Sequence, residues 1–186
     1  MADTDRHTYD DIPHTYRSGP SDPVRLADEP GTWAEVRIDA PSAQVWDLVT
    51  DLDLPARFSE EFMGAEWTDG GPAVGARFVG RNQHPAVGEW EVPAYVEVLD
   101  DGASFGWATV DLADPGSRWR FDLRPDGEGT VLRFSMSIGP GPSFISVPIE
   151  AMPDKEPRIL ARRLAEHHAN MVRTIEGIKD LAEGLG

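Results

Sequence analysis

The chain has no cysteine, so neither disulfides nor thiolate chemistry can contribute, and nothing points to an oxidising compartment. Cationic residues are scarce: 17 Lys and Arg stand against 33 Asp and Glu, giving a formal charge of −16 and a pI near 4.5. Phosphate backbones and anionic lipid surfaces would be repelled rather than steered in, so no nucleic acid partner is expected. No apolar run approaches a membrane span, and Asp3, Asp5 and Arg6 lead into no apolar h-region, so neither membrane insertion nor a signal peptide is expected. The expected location is cytoplasmic.

What is present is periodic. A length of 186 residues suits one domain with a sizeable core, over residues 31–186. Before it, residues 1–30 carry Pro13, Pro20, Pro23 and Pro30 among small polar groups, with no periodicity, and are read as a flexible arm. The element that organises the rest is a helix predicted from about Asp154 to Glu183. At ~100° per residue Leu160, Leu164, Met171, Ile175 and Ile178 fall in one sector, while Arg162, Arg163, Glu166, Asn170, Arg173 and Lys179 fall outside it. At ~1.5 Å per residue it is about 45 Å long, so its apolar stripe needs a curved sheet as partner. Asp154 is the expected N-cap.

That sheet is visible as alternation. Ala34, Val36 and Ile38 alternate with Glu35 and Arg37 in a first strand. A short helix around Val45–Val49 follows, then a helical turn from Leu52 to Phe58. Six more period-two segments run from about Ala65 to Ile138, parted by Gly and Asp turns such as Asp100-Asp101-Gly102 and Asp126-Gly127-Glu128-Gly129. Such links imply an antiparallel meander. Its inner face collects Phe78, Trp90, Val98, Trp107, Trp119, Phe121 and Phe134; its outer face carries Glu97, Arg118, Arg120, Asp122 and Ser135 and should be wet. Pro93 should mark a bulge or a bend. Residues 139–153 are too rich in proline for a regular element and too apolar for a solvated loop, so they are read as a loop that either lies over an opening or folds back onto the core.

This order gives an α+β fold: a curved antiparallel seven-stranded sheet around a long C-terminal helix, with two short helices after the first strand. Ile38-Asp39-Ala40-Pro41 followed by Val45-Trp46-Asp47-Leu48-Val49-Thr50-Asp51-Leu52 resembles the opening of the SRPBCC (START/Bet v 1-like, helix-grip) superfamily. Trp67-Thr68-Asp69-Gly70, Val74-Gly75-Ala76-Arg77-Phe78, Gly80-Arg81-Asn82, Trp90 and Gly129-Thr130 look like its polyketide cyclase/dehydratase-type group, in the actinobacterial branch. The resemblance covers residues 33–183. It implies an apolar ligand gripped between sheet and helix, and leaves open a carrier, an aromatase/cyclase or dehydratase, and a self-resistance protein sequestering a reactive natural product such as an enediyne.

The partner expected is a hydrophobic, aromatic or polyketide-like small molecule, bound by a monomer or weak homodimer. Phe78, Trp90, Trp107, Trp119, Phe121, Phe134, Met171 and His168 are the candidate ligand-binding residues, although plain core would use the same aromatics. Cyclisation or dehydration needs an inward proton carrier and an oxyanion donor. His168, on one flank of the helical stripe, and Arg57 and Arg81, near the expected mouth, are the candidates; His167 is assigned to the opposite flank, beside Thr174. No metal is expected, because adjacent His167 and His168 cannot both reach one ion from a helix. No cofactor is expected either: Gly139-Pro140-Gly141 lacks the third glycine and the helix start of a dinucleotide site.

Overall fold

The computed structural model describes residues 24–139 and 141–185. Most of the expected N-terminal arm lies outside them. Within them, residues 24–30 hold a 3-10 turn, Leu26–Asp28, tied to the long helix. Glu156 accepts from the Leu26 N–H at 2.7 Å and from the Arg25 guanidinium at 2.8 Å.

Strand β1 spans Gly31–Ile38 and helix α1 Ser42–Val49, followed by a 3-10 turn at Leu54–Arg57. The meander comprises β2 (Phe62–Trp67), β3 (Arg77–His84), β4 (Gly88–Asp100), β5 (Ser104–Thr109), β6 (Ser117–Asp126) and β7 (Gly129–Ile138). Helices α2 (Ser146–Ala151) and α3 (Glu156–Ala182) complete the chain. One seven-stranded sheet has the order β1-β7-β6-β5-β4-β3-β2, with every pair antiparallel. The hairpin turns use positive φ where glycine tolerates it, at Gly102 and Gly127.

Several expectations change. No register shift falls at Pro93, which pairs in step with Val79. The shift lies one turn of the pleat later, between Val96 and Val98, so Val98 faces outward opposite Gly106 and Leu99 joins Phe105 inside. The outer face is not uniformly wet: Asp122 is 4% exposed and Ser135 1%. Ser104 Oγ and Arg120 Nε donate to Asp122 Oδ1 at 2.5 and 2.7 Å. Burial nevertheless pushes its carboxyl up to about 7, against the pull of Arg133.

Helix α3 starts at Glu156, and Asp154 sits in a preceding 3-10 turn, Pro153–Lys155, without a capping bond. The stripe Leu160, Leu164, Met171, Ile175 and Ile178 is buried as expected, but so is Arg163, which lies outside that sector. Residues 139–153 are not all loop. Helix α2 forms there because Ile145 and Ile149, one helical turn apart, are buried while Val147 stays exposed. Gly139 and Gly141 bring this segment backbone-to-backbone against the β5–β6 connection. A Cβ on either would run into the carbonyl oxygens of Pro115 or Asp114.

The placement of α3 sets up the site. Its extensive contacts are with β1, α1 and β7, at one edge of the sheet. Thr32 Oγ1 lies 3.2 Å from His168 Nδ1, Lys179 Nζ donates to the Arg37 carbonyl at 2.8 Å, and Gly177 admits the Phe58 ring so closely that any side chain would collide with it.

Candidate functional site

Between α3 and strands β3–β7 lies a cavity of about 500 Å³, within the range that holds drug-sized ligands. The alternation of each strand turns one large side chain inward at each step, so the wall is a continuous set of rings: Phe78 from β3, Trp90 from β4, Trp107 from β5, Trp119 and Phe121 from β6, and Phe134 from β7. Trp107 and Trp119 stack in near-parallel planes (6.4 Å between centroids, 8°), and Phe121 and Phe134 stack at 4.0 Å. The segment before α2 closes one side, where Phe144 packs on Trp90 at 5.3 Å. Val110, a β-branched residue at φ 73, also lines the wall; such a conformation is strained. The Val110 N–H donates to the Pro93 carbonyl at 2.8 Å.

Polar groups sit at defined points on this wall. Arg163 of α3 makes a bidentate pair with Glu61, one bond at 2.6 Å and a second with Glu61 Oε1. Its guanidinium lies 4.6 Å from the centre of the Phe144 ring. The Trp119 indole N–H donates to Ser117 Oγ at 2.8 Å, and Thr109 Oγ1 lies 2.8 Å from the same Ser117 oxygen. His167 is 9% exposed, and its ring stands edge-on to Trp119 at 5.0 Å and 84°. Burial above all, then the positive charges of Arg163 and His84, hold its imidazole well below the usual histidine range, so it is uncharged at neutral pH.

The sequence-predicted residues divide into two sets. Phe78, Trp90, Trp107, Trp119, Phe121, Phe134 and Met171 all line the cavity. His168, Arg57 and Arg81 do not: each is exposed, His168 beside Thr32, and Arg57 over the Phe58 ring at 5.6 Å. Tyr95 stays on the outer face near Arg77. The histidine on the cavity is His167. At ~100° per residue the two positions lie about 50° to either side of the middle of the stripe, so the choice between them falls to the side on which the helix faces the cavity. No pattern in the sequence pairs Glu61 with Arg163, because long-range ion pairs leave no local periodicity.

Among the described residues no group of three or more His, Asp or Glu side chains could hold a metal ion, and no helix is long and apolar enough to cross a membrane. A curved antiparallel sheet gripping a long C-terminal helix around an aromatic-lined cavity defines a helix-grip fold. The family model described as polyketide cyclase/dehydrase and lipid transport matches residues 33–176, and the chain belongs to that family. It is 30% identical to a Polyketide_cyc-like protein of Corynebacterium glutamicum, solved by NMR, over 87% of this chain and 93% of that one, with a TM-score of 0.60. Two di-domain ARO/CYC proteins share the fold. StfQ, of the steffimycin pathway, is 14% identical with a TM-score of 0.63, over 83% of this chain and 50% of that one. BexL, of the BE-7585A pathway, is 17% identical with a TM-score of 0.60, over 85% and 52%. No curated protein is similar enough in sequence to count as a match.

Proposed function

We propose that the protein binds an apolar, aromatic or polyketide-like small molecule between α3 and the sheet. The observation that carries this reading is the cavity itself: about 500 Å³ of space walled by aromatic rings from each of the strands β3–β7. A flat ligand gains affinity there from area removed from water, and orientation from a few hydrogen bonds. Family membership supports the reading, as do the ARO/CYC proteins of like fold. A monomer or weak homodimer in the cytoplasm suffices for it.

The test is a fluorescence titration with a planar polycyclic such as 9,10-anthraquinone, compared with Gly80→Leu. Gly80 lines the cavity, and a Cβ there would make only ordinary contacts with Phe62 and Val92. The variant should keep its stability within about 1 kcal/mol yet lose binding. Unchanged binding in a folded Gly80→Leu protein would count against the cavity as the site.

A second reading, an aromatase/cyclase or dehydratase, is favoured by one observation: a buried, uncharged histidine faces the cavity with no hydrogen-bond partner among the described residues. A neutral imidazole can take a proton from an activated methylene and return it to a leaving hydroxyl. On this reading His167→Gln removes turnover of a poly-β-keto substrate while leaving its binding in place.

A further inference from the structure

The polarity of the cavity narrows the class of ligand, on the footing that the cavity is the binding site. Among the described residues Arg163 is the one guanidinium on its wall, and Glu61 occupies it through two terminal nitrogens, with Glu166 Oε2 a further 3.4 Å from one of them. A ligand carboxylate would have to displace Glu61, itself largely buried, and strand that charge without a partner. At the rim it would meet the exposed carboxylates Asp51 and Glu91, on a chain of net charge −16.

Several other polar atoms of the wall are already engaged. Thr109, Ser117 and the Trp119 indole bond to one another, and the Asn170 side-chain oxygen accepts from the Glu60 N–H at 3.1 Å and from Arg173 at 2.6 Å. His167 is different: nine-tenths buried and on the cavity wall, it makes an edge contact with Trp119 and no hydrogen bond among the described residues. An imidazole in its neutral form offers one N–H donor and one acceptor, which suits a hydroxyl or carbonyl rather than an ion.

From this we infer that the cavity selects an uncharged, flat aromatic molecule carrying a hydroxyl or carbonyl that bonds to His167, and that it rejects carboxylates and ammonium ions of the same shape. A cation is disfavoured because the Arg163 guanidinium stands on the same wall and Glu61, the carboxylate on the lining that is not exposed, is already held by Arg163.

Calorimetric titration at neutral pH with 2-naphthol, 2-methylnaphthalene, 2-naphthoate and 2-naphthylmethylammonium tests this. We expect 2-naphthol to bind at least tenfold more tightly than either ion. His167→Phe should weaken 2-naphthol about fivefold, the effect of one neutral hydrogen bond, and leave 2-methylnaphthalene within twofold. Equal or tighter binding of either ion overturns the inference while the cavity reading stands. Binding by none of the four overturns the cavity reading beneath it. Parallel losses of 2-naphthol and 2-methylnaphthalene in His167→Phe would show that His167 only shapes the wall, and would overturn its assigned role. If circular dichroism shows His167→Phe unfolded, His167→Ala carries the same comparison.

Discussion

The two sides of α3 use similar residues to opposite effect. Towards β1 and α1, Ile175, Ile178 and Ala182 are buried against neighbouring elements, and Gly177 brings the helix onto Phe58. Towards β3–β6, large rings of the same alternating kind face a cavity, and the helix answers them with Arg163, His167, Asn170 and Thr174. Apolar patterning therefore builds both a packed core and a hollow one. What separates them is the helix leaning on one edge of the sheet, with polar side chains on the flank that stands clear.

The largest test of this contrast is the ion pair on the open flank. Arg163→Ala leaves Glu61 without its partner in a largely buried place and should cost about 3–5 kcal/mol in urea unfolding. Arg163→Met combined with Glu61→Leu should recover most of that loss; a single variant of wild-type stability would show that the pair contributes little. On the packed flank, Ile178→Ala removes a fully buried side chain and should cost about 3 kcal/mol with ligand affinity unchanged. Equal losses of affinity and stability there would erase the distinction between the two sides.

The smallest expected effect is on pH. Because the folded protein holds His167 below the ordinary imidazole value of 6.5, the unfolded chain takes up the proton first. The stability from keeping it neutral is present above about 6.5 and is lost as pH falls below that. His167→Gln should flatten this part of the stability profile, and an unchanged slope would mean that another group sets it.

The architecture was legible from two periodicities. Strand alternation named the ring wall, and the 3.6-residue stripe named the buried face of α3, because both reflect local geometry that one sequence carries. The hidden features were those set by contacts distant in the chain. The register shift at Glu97 reverses Val98 and Leu99 without any proline or glycine beside it. Arg163 lies outside the apolar sector, and nothing marks it as buried until Glu61, 102 residues away, is placed opposite it. The choice between His167 and His168 turned on whether the stripe's flank met β1 or the cavity, which depends on how the helix leans. Phe144 and Ile145, for which a place over an opening or on the core was open, line the cavity, whereas α2 formed from a stretch whose prolines argued against any helix.

Tryptophan provides the most direct measurement. Of the six, Trp90, Trp107 and Trp119 line the cavity, while Trp33, Trp46 and Trp67 do not. In a nitrogen–proton NMR titration with 2-naphthol, the indole signals of the first three should shift and saturate together, with those of the other three nearly still. Shifts centred on Trp33, Trp46 or Trp67, or no saturable shift at all, would contradict a ligand held between the long helix and the sheet.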